Sequence, residues 1–223
     1  MDAQQRNTKD WYLGKDPMSF VSEDIINFIK NRAGKKILDF GCGLGGYSAR
    51  LGQLGFKCTA LDANENYVQI AKSIKVDAQL QKGDKIEFPD GHFDTVIMVE
   101  VIEHLDNLDS VLSEVKRVAK DNLIITCPNC TEEPLLTKAG LLFEHVLDAD
   151  HKRFFTVSTL KETLKKYFSE VSVFEKEPVE PRIFNLLSRG SLINAILLNL
   201  YNLNVIKPKI FFRLYAEARK DPR

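Results

Sequence analysis

From Lys36 to Cys127, short apolar segments alternate with longer amphipathic segments, and this alternation restricts the chain to few folds. Short apolar segments bounded by turn residues predict buried strands, and apolar residues recurring every three or four positions predict helices. Strands that alternate with helices form a parallel sheet with helices on both faces. The sequence therefore predicts a doubly wound α/β fold with a mostly parallel sheet. The predicted strands are Lys36–Phe40, Lys57–Leu61, Ala78–Gln81, Phe93–Val99, Asn122–Cys127, Glu170–Phe174 and Lys209–Ala216, and the predicted helices are Val21–Asn31, Gly45–Leu54, Glu65–Ser73, Leu108–Val118 and Val157–Tyr167.

The length of 223 residues fits one α/β domain with additions better than two full domains. We divide the chain into an N-terminal leader and helix at residues 1–33, a cofactor-binding core at residues 34–180, a helical insertion at residues 181–208, and the last strand with the C-terminus at residues 209–223. The polar leader, which carries a few aromatic residues, is a candidate lid.

Composition and charge exclude several classes of protein. Lysine plus arginine and aspartate plus glutamate both number 31, so no overall field attracts nucleic acid, and we expect no DNA partner. Residues 1–16 contain no apolar signal region, and no apolar run approaches the ~20 residues of a membrane span. The four cysteines then indicate reduced thiols in a cytoplasmic protein. Cys127 and Cys130 have the spacing of half a zinc site, but no second pair completes it, so we favour a strand that ends at a turn.

A glycine-rich loop follows the first predicted strand, as Gly41-Cys42-Gly43-Leu44-Gly45-Gly46. This G-x-G-x-x-G spacing alone also suits a dinucleotide pyrophosphate at a helix N-terminus. However, Asp39 precedes the loop, and its carboxylate repels a pyrophosphate but can orient the ammonium of S-adenosylmethionine, directly or through water. The glycines then let the backbone approach the methionine moiety. Asp62 ends the second strand, where a carboxylate can accept both ribose hydroxyls, although either acid could instead cap a helix.

Six segments follow one another in order: Ile37-Leu38-Asp39-Phe40-Gly41-Cys42-Gly43-Leu44-Gly45, Leu61-Asp62-Ala63, Gly83-Asp84, Phe88-Pro89-Asp90, Phe93-Asp94-Thr95-Val96 and Val101-Ile102-Glu103-His104-Leu105. Together they resemble the motifs of class I S-adenosylmethionine-dependent methyltransferases. The resemblance implies a Rossmann-like sheet of seven strands whose last strand is antiparallel. It also implies S-adenosylmethionine as cofactor, with Asp84 and the Lys85 backbone beside the adenine and Val99–Glu100 beside the methionine. The predicted cofactor-binding residues are thus Asp39, Gly41, Cys42, Gly43, Asp62, Ala63, Asp84, Lys85, Val99 and Glu100.

An acid–histidine cluster follows the strand that ends at Val99. If the chain is helical there, the i, i+3, i+4 spacing places Glu100, Glu103 and His104 on one face at the carboxyl end of the sheet. His104, tuned by Glu103, is then a candidate general base for a hydroxyl acceptor. Alternatively, the two carboxylates and the imidazole bind Mg²⁺ or Mn²⁺ with His151 as a further ligand, or His104 merely caps the helix. We name His104 and Glu103 as candidate catalytic residues and assign no metal ligand.

The same cluster is similar to those of two branches of the family. Quinone-biosynthesis O-methyltransferases share the Glu-x-x-Glu-His arrangement. Small-RNA 2′-O-methyltransferases use such a cluster with a downstream histidine to bind metal. The resemblance to the first branch implies a small-molecule acceptor, and the resemblance to the second leaves a metal-dependent RNA methyltransferase as an alternative.

The late segment differs in composition from the core, because residues 181–216 contain five basic residues and no Asp or Glu. On a helical wheel, Ser191–Val205 carries asparagines on one side and long aliphatic residues on the other, apart from Leu198. Packing on the domain or at a homodimer interface accounts for such a helix. Alternatively, residues 182–207 form a lid over an apolar acceptor or lie on a membrane surface, with the basic flanks toward anionic headgroups.

These features predict a cytoplasmic S-adenosylmethionine-dependent methyltransferase that modifies oxygen on a small, apolar or lipid-like acceptor. Orientation of the reactants then supplies much of the rate, with or without a general base. An NAD(P)-dependent oxidoreductase and a non-catalytic cofactor-binding partner subunit are the alternatives from other classes. Asp39 argues against the first, whereas binding motifs alone do not decide the second.

Overall fold

A computed structural model describes residues 13–131, 148–178 and 211–221, together with Ile196, Asn199, Leu200 and Leu203. The strands are β1 (Lys36–Phe40), β2 (Lys57–Asp62), β3 (Asp77–Leu80), β4 (Phe93–Val99), β5 (Ala119–Pro128), β6 (Glu170–Pro178) and β7 (Phe211–Arg219). The α-helices whose full extent is described are α1 (Glu23–Lys30), α2 (Gly46–Gln53), α3 (Glu65–Ser73), α4 (Leu108–Val118) and α5 (Val157–Lys165). Short 3-10 helices cover Pro17–Phe20 and Ile102–His104.

The seven strands form one sheet in the order β3-β2-β1-β4-β5-β7-β6. Strands β1 to β5 pair in parallel, whereas β7 is antiparallel to both of its neighbours. The predicted doubly wound, mostly parallel sheet with an antiparallel last strand is therefore confirmed. The strand order reverses between β1 and β4, and open α/β sheets bind ligands beside such a reversal, at the carboxyl ends of the strands.

Two apolar cores cover the two faces of the sheet, because side chains alternate along each strand. In β4, Val96 and Met98 pack into a core with α4 and α5, whereas Ile97 packs into a second core with α1. Helix α1 contributes Ile25 and Ile29, which are 1% and 0% exposed. Full burial of such a side chain contributes about 1.5–3 kcal/mol, so the two cores fix the sheet between its helices.

Predicted and observed boundaries agree best where an element has its own local signal. Strands β1 and β4 and helices α3 and α4 have the predicted limits. Helix α3 begins after Asn64, whose side chain accepts a hydrogen bond from Asn66 N at 2.9 Å. Strand β6 continues past its predicted end at Phe174 to Pro178. Pairing with β7 extends it, because the partner strand outweighs the low strand propensity of the charged residues.

The predicted insertion helix Ser191–Val205 lies mostly outside the described residues. Ile196, Asn199 and Leu200 are helical, and Leu203 lies in a turn. None of the helices in the described parts of the chain is both long and apolar enough to cross a membrane.

Candidate active site

The carboxyl ends of β1, β2 and β4 meet at one edge of the sheet, and predicted cofactor residues follow each of them. The register places Asp39 of β1 beside Ala60 of β2 and Ile97 of β4. Because neighbouring strands lie about 4.8 Å apart, the loops after them are neighbours too. The order of strands along this edge is therefore also the order of the predicted ligand groups: adenine after β3, ribose after β2, and methionine between β1 and β4.

Two glycines shape the loop after β1. Gly41 and Gly43 have φ of +77° and +52°, a backbone region that favours glycine. A Cβ at Gly41 would lie 2.5 Å from Val101 Cγ2, so this glycine lets the loops after β1 and β4 touch. A Cβ at Gly43 would meet no described atom within 4 Å, so the space beside Gly43 can receive a ligand. Cys42 between them is buried, and burial raises the pKa of its thiol, which therefore stays neutral.

Asp62 holds the glycine loop against β2. Its Oδ2 accepts a hydrogen bond from Gly43 N at 2.8 Å, and its Oδ1 accepts one from Asn64 N at 2.8 Å. Each carboxylate oxygen has a second lone pair, so both can still accept a ribose hydroxyl. Ala63 follows at the same edge. Since Asn64 caps α3, Asp62 is not the helix cap, and its position fits the predicted ribose contact.

Asp39 lies beneath the start of α2 and is only 2% exposed. Its Oδ2 accepts a hydrogen bond from Ser48 Oγ at 2.7 Å. Burial raises the pKa of Asp39 to about 7; the hydrogen bonds from Ser48 oppose this rise, and repulsion from Asp62 adds to it. Two carboxylates that repel each other favour a positively charged ligand, which fits the cationic S-adenosylmethionine. Asp39 then acts through its electric field, because Ser48 and the helix shield its carboxylate.

The amides of the glycine loop are used within the protein, which argues against a dinucleotide. Gly41 N and Cys42 N both donate to Leu61 O, at 2.7 and 3.0 Å. Gly43 N donates to Asp62, as described above. A pyrophosphate site requires such amides to face the ligand at the start of the helix. The loop therefore suits a cofactor without phosphate groups.

The turn after β3 carries Asp84 and Lys85, the residues predicted beside the adenine. Gln81 Nε2 donates hydrogen bonds to Gly83 O at 2.9 Å and to Lys85 O at 2.8 Å, and these contacts fix the turn. Ile86, which follows, is fully buried and anchors the segment to the core. The turn therefore follows β3 at the edge next to β2, where the resemblance implies the adenine.

Glu100 follows Val99 at the end of β4 and has a left-handed backbone, with φ of +55°. Its Oε1 accepts a hydrogen bond from Thr126 Oγ1 at 2.8 Å and lies 3.1 Å from Nε of Arg213. Both contacts fix the Glu100 side chain to β5 and β7, and its predicted role beside the methionine stays a prediction.

The α-helical face predicted for Glu100, Glu103 and His104 does not form. The left-handed Glu100 turns the chain away from helical geometry, and only one 3-10 turn follows, over Ile102–His104. Glu100 therefore shares no helical face with Glu103 and His104, which lie in a cluster of their own, although the charge of Glu100 still acts on Glu103.

That cluster, which we call the acceptor cluster, consists of Glu103, His104 and His151. One ligand atom from each side chain can be chosen so that all three lie within 4.8 Å of one another. The backbone brings His151 into place, because the amides of Lys152 and Arg153 donate to Glu103 O at 2.9 and 3.2 Å. The sequence offered His151 as a further ligand, and the structure does bring it to the other two.

Side chains reinforce this connection between the two segments. Lys152 Nζ forms an ion pair with Asp106. The Arg153 guanidinium donates to Leu105 O and, at 3.0 Å, to Asp106 O. The chain around His151 is thereby fixed to the loop after β4.

A backbone carbonyl fixes the tautomer of His104. Its Nδ1 lies 3.1 Å from Asp150 O. A carbonyl oxygen only accepts, so Nδ1 carries the proton and Nε2 keeps a lone pair. Burial lowers the pKa of His104, so the ring is neutral near pH 7. The backbone oxygen of Asp150 is therefore the hydrogen-bond partner of His104 Nδ1, while the predicted tuning of His104 by Glu103 stays a prediction.

Glu103 is 2% exposed, and neither of its carboxylate oxygens has a hydrogen-bond partner among the described residues. Burial, followed by the charge of Glu100, raises its pKa well above the usual range. A buried carboxylate without a partner is costly and calls for a donor or a cation. A carboxylate and two imidazoles fit a transition-metal dication such as Mn²⁺, Fe²⁺ or Zn²⁺ better than Mg²⁺, which prefers oxygen ligands, and they also fit an acceptor hydroxyl that donates to Glu103.

We did not predict Arg213 as a site residue, although its place in the sequence gave a reason to do so. It is a single arginine within the apolar run Phe211-Phe212-Arg213-Leu214-Tyr215. Because β7 runs antiparallel, its first residues lie at the carboxyl edge of the parallel strands. A charged residue near the start of that strand could have been assigned to the active-site edge.

Comparison with known proteins agrees with this geometry. A family model described as a methyltransferase domain matches residues 17–167, more than half of the chain. The ubiquinone biosynthesis O-methyltransferase of Rickettsia bellii (strain OSU 85-389) is 29% identical over 169 residues, which cover 69% of each chain.

Solved structures share the fold. A SAM dependent methyltransferase from Archaeoglobus fulgidus superposes with a TM-score of 0.70 at 23% identity and covers 96% of this chain and 98% of its own. Phosphoethanolamine N-methyltransferase 2 of Haemonchus contortus, in complex with S-adenosyl-L-methionine, superposes with a TM-score of 0.62 at 18% identity and covers 99% of this chain and 58% of its own. The chain therefore belongs to the methyltransferase-domain family and is a class I methyltransferase that uses S-adenosylmethionine as its methyl donor.

Proposed function

We propose that the protein methylates an oxygen atom of a small, apolar or lipid-like acceptor whose hydroxyl group binds at the acceptor cluster. The observation that carries this proposal is the neutral His104 ring with its free Nε2, beside the buried carboxylate of Glu103. The name of the Rickettsia bellii relative, an O-methyltransferase, supports oxygen as the acceptor atom. The N-methyltransferase with the same fold indicates that the fold alone does not select this atom.

In the first mode, His104 acts as a general base. Its Nε2 accepts the hydroxyl proton while the acceptor oxygen bonds to the methyl carbon and the bond from that carbon to sulfur breaks. The hydrogen bond from Nδ1 to Asp150 O keeps the ring oriented and stabilises the imidazolium that results.

In the second mode, Glu103, His104 and His151 would hold a divalent cation. When bound, such a cation supplies Lewis-acid chemistry that lowers the pKa of an acceptor hydroxyl. His104 Nε2 has one lone pair, so it cannot serve as a ligand and as a base at once, and the two modes exclude each other. The unpartnered carboxylate of Glu103 favours the cation. The same mode supports the alternative of a metal-dependent RNA 2′-O-methyltransferase.

The apolar character of the acceptor is inferred from the insertion. Of its few described residues, Ile196 and Leu203 are 50% and 71% exposed. An apolar surface near the acceptor would disfavour a charged molecule, which would lose its hydration. We therefore include in the proposal a peripheral contact of residues 182–207 with an anionic membrane surface on the cytoplasmic side. A homodimer through the same residues is the competing outcome.

Methyl transfer from labelled S-adenosylmethionine tests the acceptor atom. The probes are an alkylcatechol, an alkylamine of equal chain length and a short RNA. We expect the catechol to be methylated and the amine and the RNA to be left unmodified. Methylation of the amine alone would reject oxygen as the acceptor, and methylation of the RNA alone would establish the alternative.

Chelation separates the two modes. In the cation mode, excess chelator abolishes methylation of the catechol, and added Mg²⁺ or Mn²⁺ restores it. Full activity in chelator, with no metal found by elemental analysis, would reject the cation and leave the general base. Glu103→Gln is the matched variant, because it keeps the shape but removes the charged ligand, and the metal alone should then no longer bind in calorimetry.

Flotation with liposomes tests the membrane contact. We expect the protein to float with anionic vesicles at low salt and to float less as salt increases. The double variant Ile196→Asp, Leu203→Asp should stay at the bottom of the gradient. A protein that floats with neither anionic nor neutral vesicles has no such contact, and a dimer in ultracentrifugation that the double variant loses would favour the competing outcome.

A further inference from the structure

A charged network at the carboxyl edge joins three strands around Arg213. Its guanidinium lies 3.1 Å, through Nε, from Oε1 of Glu100 after β4, and through NH1 it donates to Glu177 on β6. Tyr215 Oη donates to the same Glu177 at 2.8 Å. One side chain of β7 thus connects the cofactor side of the sheet with its edge strand.

The residues on both sides of this arginine have constrained backbones. Glu100 and Glu177 are two of the three non-glycine residues with positive φ among the described residues, at +55° and +59°. Such conformations persist only where the surroundings hold them, and they concentrate at functional sites. The one guanidinium contacts both carboxylates, so it is well placed to hold both conformations.

The Arg213 side chain is charged and largely buried, and its Nε pairs with Glu100 by charge alone, because that Nε makes no hydrogen bond among the described residues. The side chain of Arg213 is 18% exposed, and those of Glu100 and Glu177 are 31% and 25% exposed. Burial opposes the charged form of Arg213, but the two carboxylates raise its pKa more, so it stays charged. One positive and two negative charges leave a net negative charge at this edge, which suits an ammonium group.

Glu100 follows β4 at the edge where the resemblance implies the methionine end of the cofactor. Strand β4 is the neighbour of β1, and Val101, next to Glu100, packs against Gly41 of the glycine loop. Thr126 and Arg213 both contact Oε1 of Glu100, which leaves Oε2 for a further donor. Arg213 itself therefore has no need to touch the ligand in order to affect its binding.

We propose that Arg213, assisted by Thr126, is a positioning residue that holds Glu100 in place to bind the amino-acid end of the cofactor. The proposal rests on S-adenosylmethionine being the cofactor, and it concerns only the methionine end. The adenosine end is held by Asp62 and by the turn after β3, which the network does not contact. Loss of the network should therefore affect one end of the ligand and spare the other.

Two ligands distinguish the amino-acid end of the cofactor site from its adenosine end. S-adenosylhomocysteine has the amino-acid group, whereas 5′-methylthioadenosine keeps the adenosine and the sulfur but lacks that group. The measured quantity is the ratio of their dissociation constants, obtained by calorimetry on the full chain. Arg213→Lys keeps the charge but lacks the planar fork that reaches two carboxylates. We expect it to reduce the preference for S-adenosylhomocysteine by about tenfold, with little change for 5′-methylthioadenosine.

Two further variants keep the test decisive. Thr126→Val removes only the hydroxyl that bonds Glu100 and should reduce the preference by about threefold, even if Arg213→Lys does not fold. Arg32→Lys is the matched control, because Arg32 pairs with Glu217 at the other end of β7. This control should leave the ratio unchanged.

The outcomes are distinct. Failure of the wild-type protein to bind S-adenosylhomocysteine would reject the cofactor itself. Normal binding by the wild type, with an equal loss for both ligands or no change of ratio in folded Arg213→Lys and Thr126→Val, would show that the network is only structural and would overturn the proposal.

Discussion

The cofactor side and the acceptor cluster lie at the same edge of the sheet but satisfy their polar groups in opposite ways. On the cofactor side, Asp62 accepts two backbone amides, and Asp39 accepts the hydroxyl of Ser48. In the acceptor cluster, the carboxylate of Glu103 has no hydrogen-bond partner among the described residues. The polar groups of the first region are satisfied within the protein, whereas the carboxyl group of the second is not satisfied among the described residues. This difference implies that cofactor binding and turnover can be altered separately.

The largest difference between the effects on turnover and on cofactor binding is expected from His104→Ala. Loss of the imidazole that Asp150 O holds in place should lower kcat by about 10²–10⁴-fold if His104 is the general base. The affinity for S-adenosylhomocysteine should stay within about twofold, because the ring makes no contact with the glycine loop. Steady-state kinetics and calorimetry give the two values. His92→Ala is the control, since His92 stacks on Phe88 before β4 and should leave kcat unchanged. Undiminished turnover in His104→Ala would return this residue to a structural role.

Asp62→Ala should have the reverse effect, because it should weaken binding of the cofactor. Two hydrogen bonds from a ribose to a carboxylate contribute ~1.5–3 kcal/mol each, so affinity should fall at least ~tenfold. The hydrogen bond from Gly43 N to Asp62 is lost as well. Asp62→Asn keeps one acceptor oxygen and should show a smaller loss. Equal affinity in wild type and Asp62→Ala would mean that the ribose lies elsewhere.

Stability gives a third way to compare the regions. Glu103→Leu replaces an unpartnered buried carboxyl by an apolar side chain, which should stabilise the protein by ~1–3 kcal/mol in urea unfolding without metal. Turnover should be lost in the same variant. Asp62→Leu should instead destabilise the fold, because it leaves two amides without an acceptor. A destabilising effect of Glu103→Leu would mean that its carboxylate already has a partner in the folded chain.

The smallest effect is expected from pH. Asp39 has a pKa of about 7, and a cationic ligand binds better when this group is ionised. The affinity for S-adenosylmethionine should therefore rise by less than about tenfold in all from pH 6 to pH 8 and level off above the pKa. Asp39→Asn should flatten this dependence. An affinity that falls with rising pH would contradict the role of Asp39.

The cofactor side and the acceptor cluster also differ in how much of them could be predicted from the sequence. The predicted cofactor side depends on local order, such as the glycine loop of residues 41–46 and the strand-end acids, so the sequence alone could assign its candidate residues. The left-handed Glu100 was not predictable, because its conformation depends on Thr126 and on Arg213, which lie far along the chain. Likewise, the spacing of Glu103 and His104 suggested a helix that the loop after β4 does not form.

The edge of the sheet was also harder to predict than its centre. Strands β1 and β4 are apolar enough to be recognised alone, whereas the end of β6 is charged and becomes a strand only by pairing with β7. Hydrogen bonds between distant segments decide such details, and a pattern of single residues does not contain them.

Calorimetric titration of S-adenosylhomocysteine into the wild type, Asp62→Ala and His104→Ala tests the central claim most directly. The account predicts one site with the same affinity in the wild type and in His104→Ala, and at least ~tenfold weaker binding in Asp62→Ala. Absence of binding to the wild type, or an equal loss in both variants, would contradict a cofactor site that is complete without the acceptor cluster.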